Sequence, residues 1–174
     1  MDEKKIKTIK EILSYVAIVA AVILVRVFIF DPVMVDGPSM DTTLTDGQIL
    51  ILNKFIYRKQ DIQRYDIVVI RADNKKIIKR VIGLPNENVE IKNNEIYIDG
   101  KKIDNSFAST KTDDFDLSDI GLVKVPGDSY FVLGDNREIS LDSRYPSVGT
   151  IRKYNILGKA NFRIWPFTKF GKVE

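Results

Sequence analysis

The chain has no cysteine and no histidine among its 174 residues. Without thiols its stability cannot rest on disulfides, which is compatible with an exported domain. Without imidazole, a Ser-His-Asp triad, a Cys-His pair and the common His/Cys zinc sites are all excluded. The chain also lacks the aromatic-rich basic stripe of a nucleic-acid reader: its 27 basic residues are scattered among 24 acidic ones, for a net charge of +3. Nucleic acid is therefore not an expected partner. With 44% hydrophobic residues, the length suits one membrane segment and one domain with a sizeable core.

That membrane segment is Ile12–Phe30, apolar apart from Ser14, Tyr15 and Arg26. As a helix it would extend about 28 Å, close to the hydrocarbon thickness of a bilayer. Arg26 lies near its distal end, where a long side chain can snorkel to the headgroups. Lys4, Lys5, Lys7 and Lys10 precede it, and the positive-inside rule keeps that short tail in the cytoplasm. A cleavable leader also begins with a basic tail and an apolar run, but this run is too long and no small-x-small pattern follows it. The expected organisation is a cytoplasmic tail (1–11), a retained single-pass anchor (12–30) and an extracytoplasmic β domain (31–174).

From Val33 onward, short apolar runs are punctuated by Gly, Asn, Asp and Pro, a pattern that favours strands. The expected strands are Val33–Val35, Gln48–Asn53, Asp66–Arg71, Lys76–Ile82, Val89–Lys92, Glu95–Ile98, Tyr130–Leu133 and Gly158–Trp165. Asn93-Asn94 and Asp99-Gly100 supply tight turns for a meander over Glu90–Lys102. Asp104–Asp119, rich in Asp, Ser, Thr and Lys with few apolar anchors, reads as an exposed loop or a poorly packed hairpin extension.

Three pieces of sequence bear on chemistry. In Gly37-Pro38-Ser39-Met40, Gly37 permits unusual backbone angles and Pro38 fixes one dihedral, so the Ser39 hydroxyl can project into a cleft. A Gly-Pro-Ser turn without chemistry reads the same way. With no imidazole present, a nucleophilic Ser39 would need a neutral lysine as its base. In the strand around Lys79-Arg80, Lys79 shares a face with Ile77 and Val81, and Arg80 shares the other with Ile78 and Ile82. Burial would depress the lysine pKa toward neutrality, whereas snorkelling of both stems to water would leave it ordinary. Gly134 to Tyr145 packs three acids, two arginines and two serines into a dozen residues, dense enough for a polar network or simply a solvated turn.

In this order, behind a basic tail and an apolar segment, these pieces resemble type I signal peptidase, the serine–lysine leader peptidase of bacteria, in its compact Gram-positive-like form. The resemblance covers nearly the whole chain, including the Val89–Lys101 meander, the Gly134-Asp135-Asn136-Arg137 loop and the closing Phe162-Arg163-Ile164-Trp165-Pro166-Phe167. It implies a signal-peptidase-like, LexA-like β fold of antiparallel sheets and a membrane-bound endopeptidase that cuts signal peptides from exported preproteins after Ala-x-Ala-like sites. Residue by residue, it implies Ser39 as nucleophile, Lys79 as general base, and Ser140 as the group orienting Lys79. Asp142 with Arg144, and Asp135 with Arg80, would form a supporting network. Met40 would pack beneath the nucleophile, and Val33 and Val35 would line the substrate edge, which accepts an extended peptide by strand addition. The implied partners are preproteins and the lipid bilayer, with the enzyme a monomer; no motif implies a metal, nucleotide or organic cofactor.

The chain departs from the family pattern at three places. Thr42 stands where a proline is common, and Asn86 replaces the glycine of Leu-Pro-Gly-Asp, a position where Asn tolerates the left-handed conformation. Gly37 stands where some members carry an oxyanion-hole serine, leaving the Ser39 amide and neighbouring backbone for that task. Two other readings compete. One is a non-catalytic homologue that only binds exported chains. The other is a relative of the serine–lysine autoproteases of DNA-damage responses, against which the apolar N-terminal segment argues.

Overall fold

Charged residues give way to an apolar run at Ile12, and a single helix, α1 (Glu3–Phe28), carries both. The computed structural model describes residues 3–28, 30–72 and 75–173. Apolar side chains stand outward all around the helix: Ile12, Leu13, Val16, Val19 and Ile23 are each more than half exposed. Among the described residues, however, no helix is long and apolar enough to cross a membrane. The charge-free run of the sequence within α1 is Ile12 to Val25, about 21 Å of helix, and Ile29 of the expected segment lies outside the described residues.

Beyond α1 the described residues are mostly β, as the alternating pattern predicts. In chain order the strands are β1 (Phe30–Met34), β2 (Ile49–Asn53), β3 (Ile67–Ala72), β4 (Lys75–Gly83), β5 (Val89–Lys92), β6 (Glu95–Ile98), β7 (Lys101–Lys102), β8 (Phe115–Asp116), β9 (Ser129–Leu133), β10 (Ile151–Arg152), β11 (Ile156–Trp165) and β12 (Gly171–Lys172). A large sheet runs β1-β2-β11-β3-β4-β9-β10, with β12 added to β11, and a smaller one runs β7-β6-β5-β8. Every pairing is antiparallel.

All eight expected strands form, with ends shifted by a few residues at most. The turn residues act as their chemistry predicts. Asn93, Asn94, Asp99 and Gly100 all take positive φ between the meander strands, and Asn86 does so at φ 69° where it replaces glycine.

Asp104–Asp119 is neither wholly an exposed loop nor poorly packed, the two forms its composition suggested. Phe115 and Leu117 enter the core shared by the small sheet and β9, Thr112 is buried, and β8 pairs with β5. A few apolar anchors suffice because the segment's polar side chains are also used: Ser109, Thr110 and Asn105 bond back to other parts of the chain.

Both faces of the large sheet are covered where it matters for function. On the Arg80 side of β4, Ile78 packs with Met40, Leu44, Leu50, Leu52 and Val69 in a first core, and Ile82 packs with Ile91, Ile96, Phe115, Phe131 and Leu133 in a second. On the Lys79 side, Val81 packs with Val68, Ile70, Tyr130, Val132 and Ile151 in a third, with Ile77 against it, so a lysine and an arginine adjacent on β4 are each held among apolar neighbours.

Candidate active site

On β4 the side chains of Lys79 and Arg80 leave on opposite faces, and each is only 3% exposed. The strand is covered on both sides, so neither cation reaches bulk water by snorkelling. Arg80 meets a counter-ion: its Nε and Nη2 donate to Asp135 at 3.0 and 2.8 Å. Asp135 also accepts from the Thr43 hydroxyl at 2.6 Å. Among the described residues Lys79 has no such carboxylate, and its Nζ donates to the Ser140 hydroxyl at 3.0 Å in a buried contact.

This environment pushes Lys79 down from its ordinary 10.5 to about 8. Burial is the main cause, since a desolvated ammonium is disfavoured. The Asp142 charge opposes it, Arg144 adds to it, and Asp135 opposes it more weakly. A lysine with this pKa is partly neutral near physiological pH and can accept a proton.

The turn carrying Ser39 is built around a left-handed residue. Gly37 sits at φ 85° and its amide donates to the Asp46 carboxylate at 2.8 Å, which fixes the turn from below. Met40 is 1% exposed and anchors the turn in the first core, while Ser39 is half-buried. The Ser39 carbonyl accepts from the Asn136 amide at 3.1 Å, so the polar loop after β9 holds the serine's own backbone. Gly134 makes that approach possible. A Cβ there would meet the Ser140 hydroxyl at 2.2 Å and the Ser39 carbonyl oxygen at 2.4 Å. Gly134→Ala is therefore expected to cost about 1–3 kcal/mol of stability and to displace both serines, lowering Tm and activity together. A thermal melt paired with an activity assay checks this; an active variant of unchanged Tm contradicts it.

The loop itself is a closed network. Asp142 accepts from the Gly134 amide at 3.1 Å and from Arg144 Nε and Nη2 at 2.8 and 3.0 Å. Arg144 Nη2 also donates to the Arg137 carbonyl at 2.6 Å. Two groups that the sequence reading did not place in the site hold the loop from behind. Thr43 shares Asp135 with Arg80, as above. Arg137, 1% exposed, donates to the Gly134 carbonyl, Thr112 and Asn105 at 2.9, 2.9 and 2.7 Å. Burial pushes Arg137 down to about 10, with Asp135 the largest opposing charge. Phe107 lies against both arginines, 4.6 Å from Arg80 and 5.6 Å from Arg137. The signal for these contacts was the run of Ser, Thr and Asn in 105–112, which satisfies buried arginines as readily as it faces water.

Removing one partner of a buried ion pair leaves the other charge uncompensated. Asp135→Ala is expected to cost about 3–5 kcal/mol, read as a lower urea midpoint. A variant as stable as the parent would show that Arg80 finds another partner.

Ser39 and Lys79 line one cleft of about 960 Å³. Its apolar lining comes from Ala72, Ile77, Ile139, Leu141, Val148 and Ile151. The expected lining residues Val33 and Val35 are not among these. They are 7% and 3% exposed and turn into the core, because strand alternation leaves Met34 between them as the outward residue, at 64% exposed. Strand β1 itself does lie at the edge of the large sheet. Among the described residues, no group of acids is arranged to hold a metal ion.

A serine and a buried, pKa-depressed lysine on the walls of one cleft, in a chain without histidine, are the two side chains that a serine hydrolase with lysine as its base requires. The family model described as signal peptidase, peptidase S26, matches residues 7–165, and the chain belongs to that family of serine peptidases. Signal peptidase I of Bacillus amyloliquefaciens is 39% identical over 186 residues, covering all of both chains. Signal peptidase I S of Bacillus subtilis (strain 168) is 40% identical over 185 residues, again covering all of both. The crystal structure of a signal peptidase I from Enterococcus faecalis V583 superposes with a TM-score of 0.53 at 33% identity, covering 57% of this chain and 97% of that one.

Proposed function

We propose that the chain is a membrane-anchored endopeptidase that removes signal peptides from exported preproteins, with Ser39 as nucleophile and Lys79 as base. Membership of the signal peptidase family supports signal-peptide removal as the activity. The observation that carries the assignment of residues is the buried Lys79–Ser140 contact at 3.0 Å on the wall of the cleft that also holds Ser39.

The chemistry follows from protonation state. Neutral Lys79 takes the Ser39 hydroxyl proton as Oγ attacks the scissile carbonyl, and the developing oxyanion is met by the Ser39 amide. The Gly37 amide is committed to Asp46. Lys79 then returns the proton to the leaving amine, leaving an ester on Ser39. A water, deprotonated by the same lysine, attacks the ester and frees the serine. Ser140 acts through Lys79 by accepting its hydrogen bond and aiming the lone pair; it is a positioning residue. The apolar part of the cleft, lined by Ile77, Ile139, Leu141, Val148 and Ile151, would receive the small substrate side chains one and three residues before the cut.

Anchoring is supported by α1, whose apolar side chains are exposed on all sides and whose basic residues lie at its start. In the proposed topology the N-terminus is cytoplasmic and the β domain lies on the outer face. Full-length protein mixed with lipid vesicles is expected to float with them and to resist extraction at high pH. Recovery in the soluble fraction would contradict anchoring without touching the catalytic assignment. The substrate assignment is tested by incubating the full-length protein in lipid with an Ala-x-Ala preprotein and mapping the new N-terminus by mass spectrometry. Cutting after the second alanine is expected, and replacing that alanine with a bulky residue should abolish it. Cutting elsewhere contradicts the specificity.

A further inference from the structure

The catalytic cleft is not uniform along its length. Lys75, Ile77 and Lys79 share one face of β4, which places Lys75 about 13 Å from Lys79 along the strand. Arg71, next to Ala72, the β3 partner of Lys75, and Arg152 line the same cleft as Lys75, and all three cations are exposed. The lining contains a single acid, Asp36, and it sits at the Ser39 end. Among the described residues, no salt bridge engages Arg71, Lys75 or Arg152. The neighbouring Lys76 and Lys54, by contrast, are both held by Asp31, at 3.4 and 3.3 Å. Three positive charges thus face a groove continuous with the nucleophile and, among the described residues, form no salt bridge.

We infer that this end of the cleft is a specificity subsite for an acidic side chain of the substrate, at the fifth residue before the scissile bond. The position follows from strand spacing: a peptide extended along β4 with its cleaved residue at Lys79 places its fifth residue beside Lys75. The direction follows from Asp31, which lies just beyond α1 and contacts Lys76, so the β3–β4 hairpin sits on the side of the domain nearest the anchor. The part of a preprotein that emerges from the bilayer precedes the cut, and it meets that hairpin. This inference rests on the membrane-anchored peptidase reading above. A peptide carboxylate is favoured over a lipid headgroup because the cations line the groove that holds Ser39 and Lys79.

The test uses the full-length protein in phosphatidylcholine vesicles and three Ala-x-Ala peptides that carry Glu, Gln or Lys at the fifth position and are otherwise identical. The Glu peptide is expected to exceed the Lys peptide by about tenfold in kcat/KM, mostly through KM, with Gln between them. The spread should shrink in about 0.5 M salt. A double variant, Lys75→Glu with Arg152→Glu, should reverse the order, a gain on the Lys peptide that misfolding cannot produce. Equal kcat/KM on all three peptides overturns the subsite and leaves the peptidase reading standing. Equal values combined with a rate that rises with phosphatidylglycerol content in the parent only would assign the cations to lipid headgroups, and overturn it as well. Failure to cut any of the three overturns the peptidase reading and the subsite with it.

Discussion

Ser39→Ala is expected to reduce cleavage of an Ala-x-Ala preprotein by at least about a thousandfold, with Tm nearly unchanged. The loss is large because the hydroxyl is the group that forms the acyl-enzyme, and the chain has no cysteine to take its place. Stability should hold because the structural duties of this residue belong to its backbone. Its carbonyl accepts from Asn136, and the neighbouring Met40, rather than Ser39, fills the core. Circular dichroism and a melt of the variant, run beside a gel-based cleavage assay, separate the two effects. Retained turnover by a folded variant would remove Ser39 from the mechanism.

Lys79→Met should cost activity on the same scale, yet raise the melting temperature at neutral pH. The lysine's folded pKa, about 8, lies below its ordinary 10.5. Below the lower value both folded and unfolded chains carry the ammonium, and the folded chain bears the full cost of burying it. As pH rises from about 8 to 10.5 the folded lysine is neutral while the unfolded one is still charged, so the cost shrinks and then vanishes. Methionine fills similar space without that cost, so its advantage in Tm is greatest below pH about 8 and fades toward 10.5. Lys79→Arg should also be inactive, because a guanidinium stays protonated and cannot serve as base. An inactive variant that is also less stable would mean that the Ser140 contact, and not proton transfer, is the main role of Lys79.

Much of this was legible in the residues. The eight strands follow from alternation bounded by turn formers, and the left-handed turns at Asn93-Asn94 and Asp99-Gly100 follow from the residue types there. The residues around Lys79 and Arg80 allowed either burial or snorkelling to water, and the packing on both faces of β4 decides for burial. What the sequence hid depends on who meets whom across the fold. Val33 and Val35 lie on the strand expected at the substrate edge, but their parity sends them into the core and Met34 outward. Arg137 stood in plain view within the loop, yet its partners Thr112 and Asn105 come from a segment whose polarity reads as solvent-exposed. The very short β7, β10 and β12 have too few residues to show a period. For α1 the apolar pattern was plain in the residues, and Ile29 of the expected segment lies outside the described residues.

The measurement that bears most directly on a buried neutral lysine as the base is the pH dependence of kcat/KM on one Ala-x-Ala substrate. It is made with the full-length protein in lipid, under conditions where chemistry limits the rate. The rate is expected to rise tenfold per unit through the acidic range and to level off above an apparent pKa near 8, where Lys79 loses its proton. A rate that stays flat from pH 6 to 9 would contradict proton acceptance by Lys79, whatever the fate of Ser39.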